Sequence, residues 1–99
     1  VLAGVALALE LDGGGNCRWS RIGMFGVGPT PLRASKSEEK ILGNRLEEKL
    51  IAEIADQAAA EAQPGSDIHA SASYRRELVR WLVAWNLRSV RQEYQEKKQ

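Results

Sequence analysis

The sequence holds one cysteine, Cys17, and one histidine, His69. A single cysteine excludes an internal disulfide and a cysteine-rich zinc site. A single histidine excludes a multi-histidine metal centre and leaves little for a histidine-based relay. Charge of one sign is not in excess. Lys and Arg number 14 against 13 Asp and Glu, a net charge of +1. That balance gives no electrostatic reason to expect nucleic acid or an acidic partner. Long apolar runs are also missing. The longest, residues 1–9, is interrupted by Gly4 and falls far short of the ~20 residues a helix needs to cross a bilayer. No basic region precedes it, so it does not read as a signal peptide. No membrane segment is expected. The unpaired Cys17 suits a reducing compartment, and a cytoplasmic location is expected.

What remains is ordinary for a globular chain: 43% hydrophobic and 27% charged residues over 99 positions. That length makes one domain with a modest core. The first third reads as strands. Val5, Leu7, Leu9 and Leu11 share one face of a period-two pattern, and Ala6, Ala8, Glu10 and Asp12 share the other. Residues 12–16, Asp-Gly-Gly-Gly-Asn, are turn chemistry, and residues 17–25 form the returning strand of a hairpin. Residues 30–34 are expected to add a short third strand, held to an edge by Pro31.

The remainder reads as helices. Ser35 and Glu38 have capping-box spacing, and Gly43-Asn44 ends the helix they open. A second helix is expected over residues 46–62. A third is capped by Asp67, Ser71 or Ser73 and runs to about Val90. The polar residues 91–99 are expected to fray as a charged tail. Strands first and helices after predict an α+β fold, a small antiparallel sheet packed against three helices. Residues 1–90 form the single domain.

Few residues offer chemistry. The Gly13–Gly15 cluster precedes a strand-like segment rather than a helix, so it reads as a turn and not a phosphate loop. Gly23, Gly26 and Gly28 precede Pro-Thr-Pro, which prevents the helix a dinucleotide fingerprint needs. His69 has Asp67 nearby and serines at 66, 71 and 73, but those residues are better used as helix caps. Cys17 beside Arg18 is expected to be an incidental, half-buried thiol. No catalytic, cofactor-binding or metal-binding residue is expected in this chain.

The last helix is the distinctive feature. Tyr74, Leu78, Trp81 and Trp85 form one apolar stripe, of the kind that usually enters a core. Val79, Val83, Leu87 and Val90 form a second. A helix apolar on two sides needs two surfaces: the sheet, and a partner domain. Residues 71–99 carry seven Lys and Arg against three Glu, whereas residues 35–63 carry four against seven acidic residues. The two helices are expected either to face each other or to be solvated. Nucleic-acid binding through the basic helix is the competing use of the same charges.

Three stretches together resemble a known family. They are Gly4-Val5-Ala6-Leu7-Ala8-Leu9 with Asp12-Gly13; then Arg21-Ile22-Gly23 through Gly26-Val27-Gly28-Pro29-Thr30-Pro31-Leu32-Arg33-Ala34 to Glu38-Glu39-Lys40-Ile41-Leu42-Gly43; and Asp67-Ile68-His69-Ala70-Ser71-Ala72-Ser73-Tyr74-Arg75-Arg76. In that order they are similar to the C-terminal domain of the FAD-binding medium subunit of molybdenum hydroxylases, the carbon monoxide dehydrogenase and xanthine dehydrogenase group. The resemblance implies three strands on three helices. It implies a structural and interface role in an FAD-dependent oxidoreductase, whose flavin receives electrons from iron–sulfur clusters. It implies that FAD is held by earlier domains of the same subunit, and that iron–sulfur and molybdenum subunits are further partners. The chain would then be the last domain of a longer flavoprotein. Carried onto this sequence, Asp67 would cap the last helix and Tyr74 would pack with its hydroxyl satisfied. Arg75 and Arg76 would make ion pairs or carbonyl contacts. Trp81 and Trp85 are bulkier than the small aliphatics the family pattern leads one to expect, so they join these four as interface candidates. A free-standing interaction or dimerisation module using the aromatic helix is the alternative.

Overall fold

A computed structural model describes residues 3–63 and 71–97. The alternation of the first segment becomes strand β1, Gly4–Leu11, and Cys17–Phe25 returns as β2. They pair antiparallel, Val5 opposite Met24 and Leu7 opposite Ile22, with a bulge between Glu10 and Leu11. The hairpin turn holds itself. Asp12 Oδ1 accepts from the backbone N–H of Gly14 at 2.8 Å and of Asn16 at 3.0 Å, while Gly15 takes φ +86°, a conformation natural to glycine. Strand β3 is only Leu32–Arg33, opposite Met24 and Gly23. It is shorter than the sequence predicts because Pro29 and Pro31 have no N–H to give a ladder. The sheet is an antiparallel meander in the order β1-β2-β3.

Three helices follow: α1, Ser35–Ile41; α2, Glu48–Glu61; and α3, Ala72–Lys97. Their apolar faces meet one face of the sheet. Ile22 and Met24 from β2, Ile41 from α1, Ile51, Ile54 and Ala58 from α2, and Val79, Val83 and Leu87 from α3 lie in one buried cluster. The α+β architecture expected from the sequence is the one observed.

Helix boundaries differ in instructive ways. The capping box at Ser35 is not formed: α1 has no side-chain cap of its own. Its first-turn amides are satisfied from α2. Glu61 accepts from Lys36 N at 2.8 Å and from Ser37 N at 3.1 Å. The end of α1 is as expected, with Gly43 at φ +78° beyond the last turn. There Gly43 N donates to Cys17 O and Cys17 N donates to Asn44 O, tying the helix end to β2. Helix α2 starts at Glu48, two residues later than expected, and Leu46 is buried in the approach to it.

Helix α3 begins with Ser71 Oγ accepting from Tyr74 N at 3.0 Å. Asp67, the other expected cap, lies outside the described residues. The helix does not fray after Val90. It continues to Lys97, because its last turns are tied down. The Tyr94 hydroxyl lies 3.0 Å from Asp12 O and 2.9 Å from Gly13 O, back at the hairpin turn. Arg88 and Arg91 both reach Glu48 of α2, and Arg80 reaches Asp56. The acidic second helix and basic third helix do face each other.

Candidate interface surfaces

Among the described residues, the thiol, the hairpin turn and the helix starts are already used. The Cys17 thiol is buried and donates to Trp19 O at 3.2 Å. Burial pushes its pKa up, against a smaller opposing pull from that hydrogen bond, so it is a poor nucleophile. The hairpin amides are taken by Asp12, and the first turn of α1 is taken by the Glu61 carboxylate. Helix α2 opens with Glu47 and Glu48, which repel an anion, and α3 opens on the Ser71 cap. A Rossmann-type dinucleotide site uses a helix N-terminus with free amides behind a glycine turn. The described residues form no site of that type. They also hold no group of three or more His, Cys, Asp or Glu placed to bind a metal. His69 lies outside the described residues.

One polar node is buried. The Glu38 carboxylate accepts from Ile22 N at 2.8 Å and from Arg33 Nη2 at 2.5 Å and Nε at 3.2 Å. Ser20 Oγ donates to Glu38 O at 2.9 Å. Burial alone pushes the Glu38 pKa up. The Arg33 hydrogen bonds, the Ile22 amide and the charges of Arg33 and Arg21 together outweigh it and hold the carboxyl below its ordinary value. The node joins α1, β2 and β3, so its role is structural. A cleft of about 400 Å³ lies between the hairpin turn, the approach to α2 and the end of α3. Leu11, Arg45, Leu46, Glu48, Arg91 and Tyr94 line it. Arg91 and Glu48 already pair with each other there.

Two uncovered faces carry large exposed aromatic side chains. On α3 the stripe that enters the core is Val79, Val83 and Leu87, each fully buried. The aromatic stripe, of a kind that usually enters a core, points outward on the side where a second surface was expected. Trp81 is 60% exposed and Trp85 55%, with their rings stacked at 6.2 Å. The branched, compact side chains let α3 approach the sheet closely, and the indoles are left on the far side. Tyr74, expected to be packed, is 53% exposed in the same row. Arg76 is exposed and Arg75 half-buried beside it. The second uncovered surface is the outer face of the sheet. Trp19 and Phe25 stand on it beside the exposed Ala6 and Ala8, with the Arg21 guanidinium 4.8 Å from the Trp19 ring centre. The sequence reading did not single out Trp19 and Phe25. Their signal was present, since they alternate with Ser20, Ile22 and Met24, and the inward face takes the latter.

Comparison with known proteins agrees with this architecture. The chain is 36% identical over 82 residues to the glyceraldehyde dehydrogenase medium chain of Sulfolobus acidocaldarius, covering 83% of this chain and 29% of that one. It is similar in structure to quinoline 2-oxidoreductase from Pseudomonas putida 86, with a TM-score of 0.84 and 26% identity over 93% of this chain and 32% of the other. Carbon monoxide dehydrogenase from Hydrogenophaga pseudoflava gives a TM-score of 0.79 and 30% identity, over 90% of this chain and 31% of that one. The chain thus spans about a third of the length of the relatives it matches. No helix among the described residues is long and apolar enough to cross a membrane. The family profile of the CO dehydrogenase flavoprotein C-terminal domain matches residues 1–90, and with nine-tenths of its length inside that match the chain belongs to this family.

Proposed function

We propose that this chain is a structural and interface domain of the FAD subunit of a molybdenum-hydroxylase-like oxidoreductase. The observation that carries the proposal is the pair of uncovered faces bearing exposed aromatic side chains, on a domain whose Arg80, Arg88 and Arg91 are paired with α2. Such faces mark surfaces meant to be covered. In this reading FAD is held by other domains of the subunit, and the sheet face or the α3 face receives them. Iron–sulfur and molybdenum subunits complete the assembly, and electrons pass from the clusters to FAD in the parent enzyme. The internally paired Arg80, Arg88 and Arg91 weaken the nucleic-acid alternative, because their charge is already directed at α2. A cytoplasmic location goes with this reading.

The test compares the complete product of the gene with the 99-residue chain. Visible flavin absorbance in the complete product and none in the chain is the expected result. Stoichiometric flavin retained by the chain alone would overturn the reading, as would a complete product that takes up no flavin.

A further inference from the structure

We infer that the last two turns of α3, residues 91–97, are a strap coupled to the β1–β2 hairpin turn. Each holds the other, and they release together while the core stays folded. This coupling stands on its own contacts and does not require the flavin-subunit reading.

The strap has little of its own to hold it. The fully buried stripe of α3 ends at Leu87, with Val90 partly buried after it. Of the seven residues that follow, five are exposed: Gln92, Glu93, Gln95, Glu96 and Lys97. Two helical turns with a polar, solvated surface are not stable by propensity alone, because helical stability in a protein comes mostly from packing. Only Arg91 and Tyr94 are half-buried. They are three residues apart and share one face of the helix. Arg91 reaches Glu48 at 3.0 Å and Leu46 O at 3.4 Å, and an ion pair this exposed holds weakly. Tyr94 is the anchor.

Its seat is the hairpin turn. The hydroxyl has one proton to donate, and Asp12 O and Gly13 O both lie within reach of it. Asp12 O also accepts from Gly15 N at 3.0 Å, the bond that closes the turn. The tyrosine ring lies against Gly15, where a Cβ would stand 3.3 Å from Tyr94 Cε2. Gly15 therefore has two uses: it takes φ +86°, and it leaves room for the ring. Strap and turn meet through the same few atoms, although 82 residues separate Tyr94 from Asp12. Arg91, Tyr94 and Gln95 also line the cleft of about 400 Å³ together with Leu11 and Leu46. Release of the strap opens that cleft on one side. Coupling of this kind is reciprocal, so whatever loosens one end loosens the other.

Amide hydrogen exchange read residue by residue by NMR on the 99-residue chain tests this. Amides of residues 94–97 should exchange through local opening, at least about hundredfold faster than those of Val83 and Leu87. Tyr94→Phe keeps the ring and removes the hydroxyl. It should speed exchange about fivefold in the strap and equally at the Asp12 and Gly15 amides that close the turn, with Val83 and Leu87 unchanged. Gly15→Ala is the converse. It crowds the ring from the turn side and should speed exchange in residues 94–97, which it does not alter. Tyr94→Phe removes one half-exposed hydroxyl and remains a folded test if Gly15→Ala disrupts the hairpin. Exchange that rises in the strap while the turn amides stay unchanged overturns the coupling. Strap amides that exchange as slowly as Val83 overturn it as well, since residues 91–97 would then open only with the core.

Discussion

The carboxylate of Glu61, in the last turn of α2, caps α1 at Ser37. Its Oε2 lies 2.7 Å from Ser37 Oγ and 3.1 Å from Ser37 N. One helix thereby supplies the N-cap another lacks, with a negative charge at the positive end of the α1 dipole. Glu61→Ala should lower the unfolding free energy by about 1–2 kcal/mol in urea titration. Ser35→Ala, at the unused capping-box position, should change it by less than about 0.5 kcal/mol. Equal effects would contradict the assignment of the cap to Glu61.

Glu38 makes stability depend on acid. Its folded pKa lies below its ordinary value, so the unfolded chain holds the proton more tightly. The stability this contributes is fully present above the unfolded value of about 4.3 and is lost as pH falls through the folded value. Melting temperature should therefore drop steeply below about pH 4, and Glu38→Gln should flatten that drop. At neutral pH, Glu38→Ala leaves the buried Ile22 amide without its acceptor and should cost about 2 kcal/mol. An unaltered pH profile in Glu38→Gln would sink this account.

The two stripes of α3 should respond to truncation by very different amounts. Leu87 is fully buried, and Leu87→Ala should destabilise by about 3–5 kcal/mol through lost burial and a cavity. Measured on monomeric protein, Trp81→Ala and Trp85→Ala should each cost less than about 1 kcal/mol, since both rings are mostly in water. Thermal unfolding of the three variants decides the point. A tryptophan variant as damaged as Leu87→Ala would place the aromatic stripe in the core after all.

Cys17 should behave as a protected thiol. Buried, and with its pKa pushed up by that burial, it should react with a soluble thiol reagent at neutral pH at least about tenfold more slowly than a free thiol. Urea should abolish the protection. Fast labelling of the native chain would show that the site is open.

Much of the fold was legible in the sequence. The period-two run from Val5 to Leu11, the Asp12-to-Asn16 turn, and the order of strands before helices each rest on interactions local in the chain. So does Gly43 at the end of α1, where only local backbone conformation is at stake. The family resemblance was legible for a related reason, since its motifs include the Asp12-Gly13 turn and Gly43. The cap of α1 was not. The capping-box spacing of Ser35 and Glu38 is a local signal, and two distant groups outcompeted it: Glu61 took the helix amides, while Arg33 and the Ile22 amide took Glu38.

The interface candidates divide in the same way. That α3 has two apolar stripes follows from residue spacing alone, because helical geometry sets which side chains share a face. Which stripe the sheet receives does not follow, since it depends on how closely two elements can approach. The sequence by itself determined the strands, the helices and their order, while the facing of the acidic and basic helices was one of two readings it allowed. Only the tertiary structure decided that Val79, Val83 and Leu87 enter the core, that Trp81 and Trp85 remain outside, and that Tyr94 holds the last turn against the hairpin. Those choices are made by packing between segments far apart in the chain, where volume and shape count and local propensity does not.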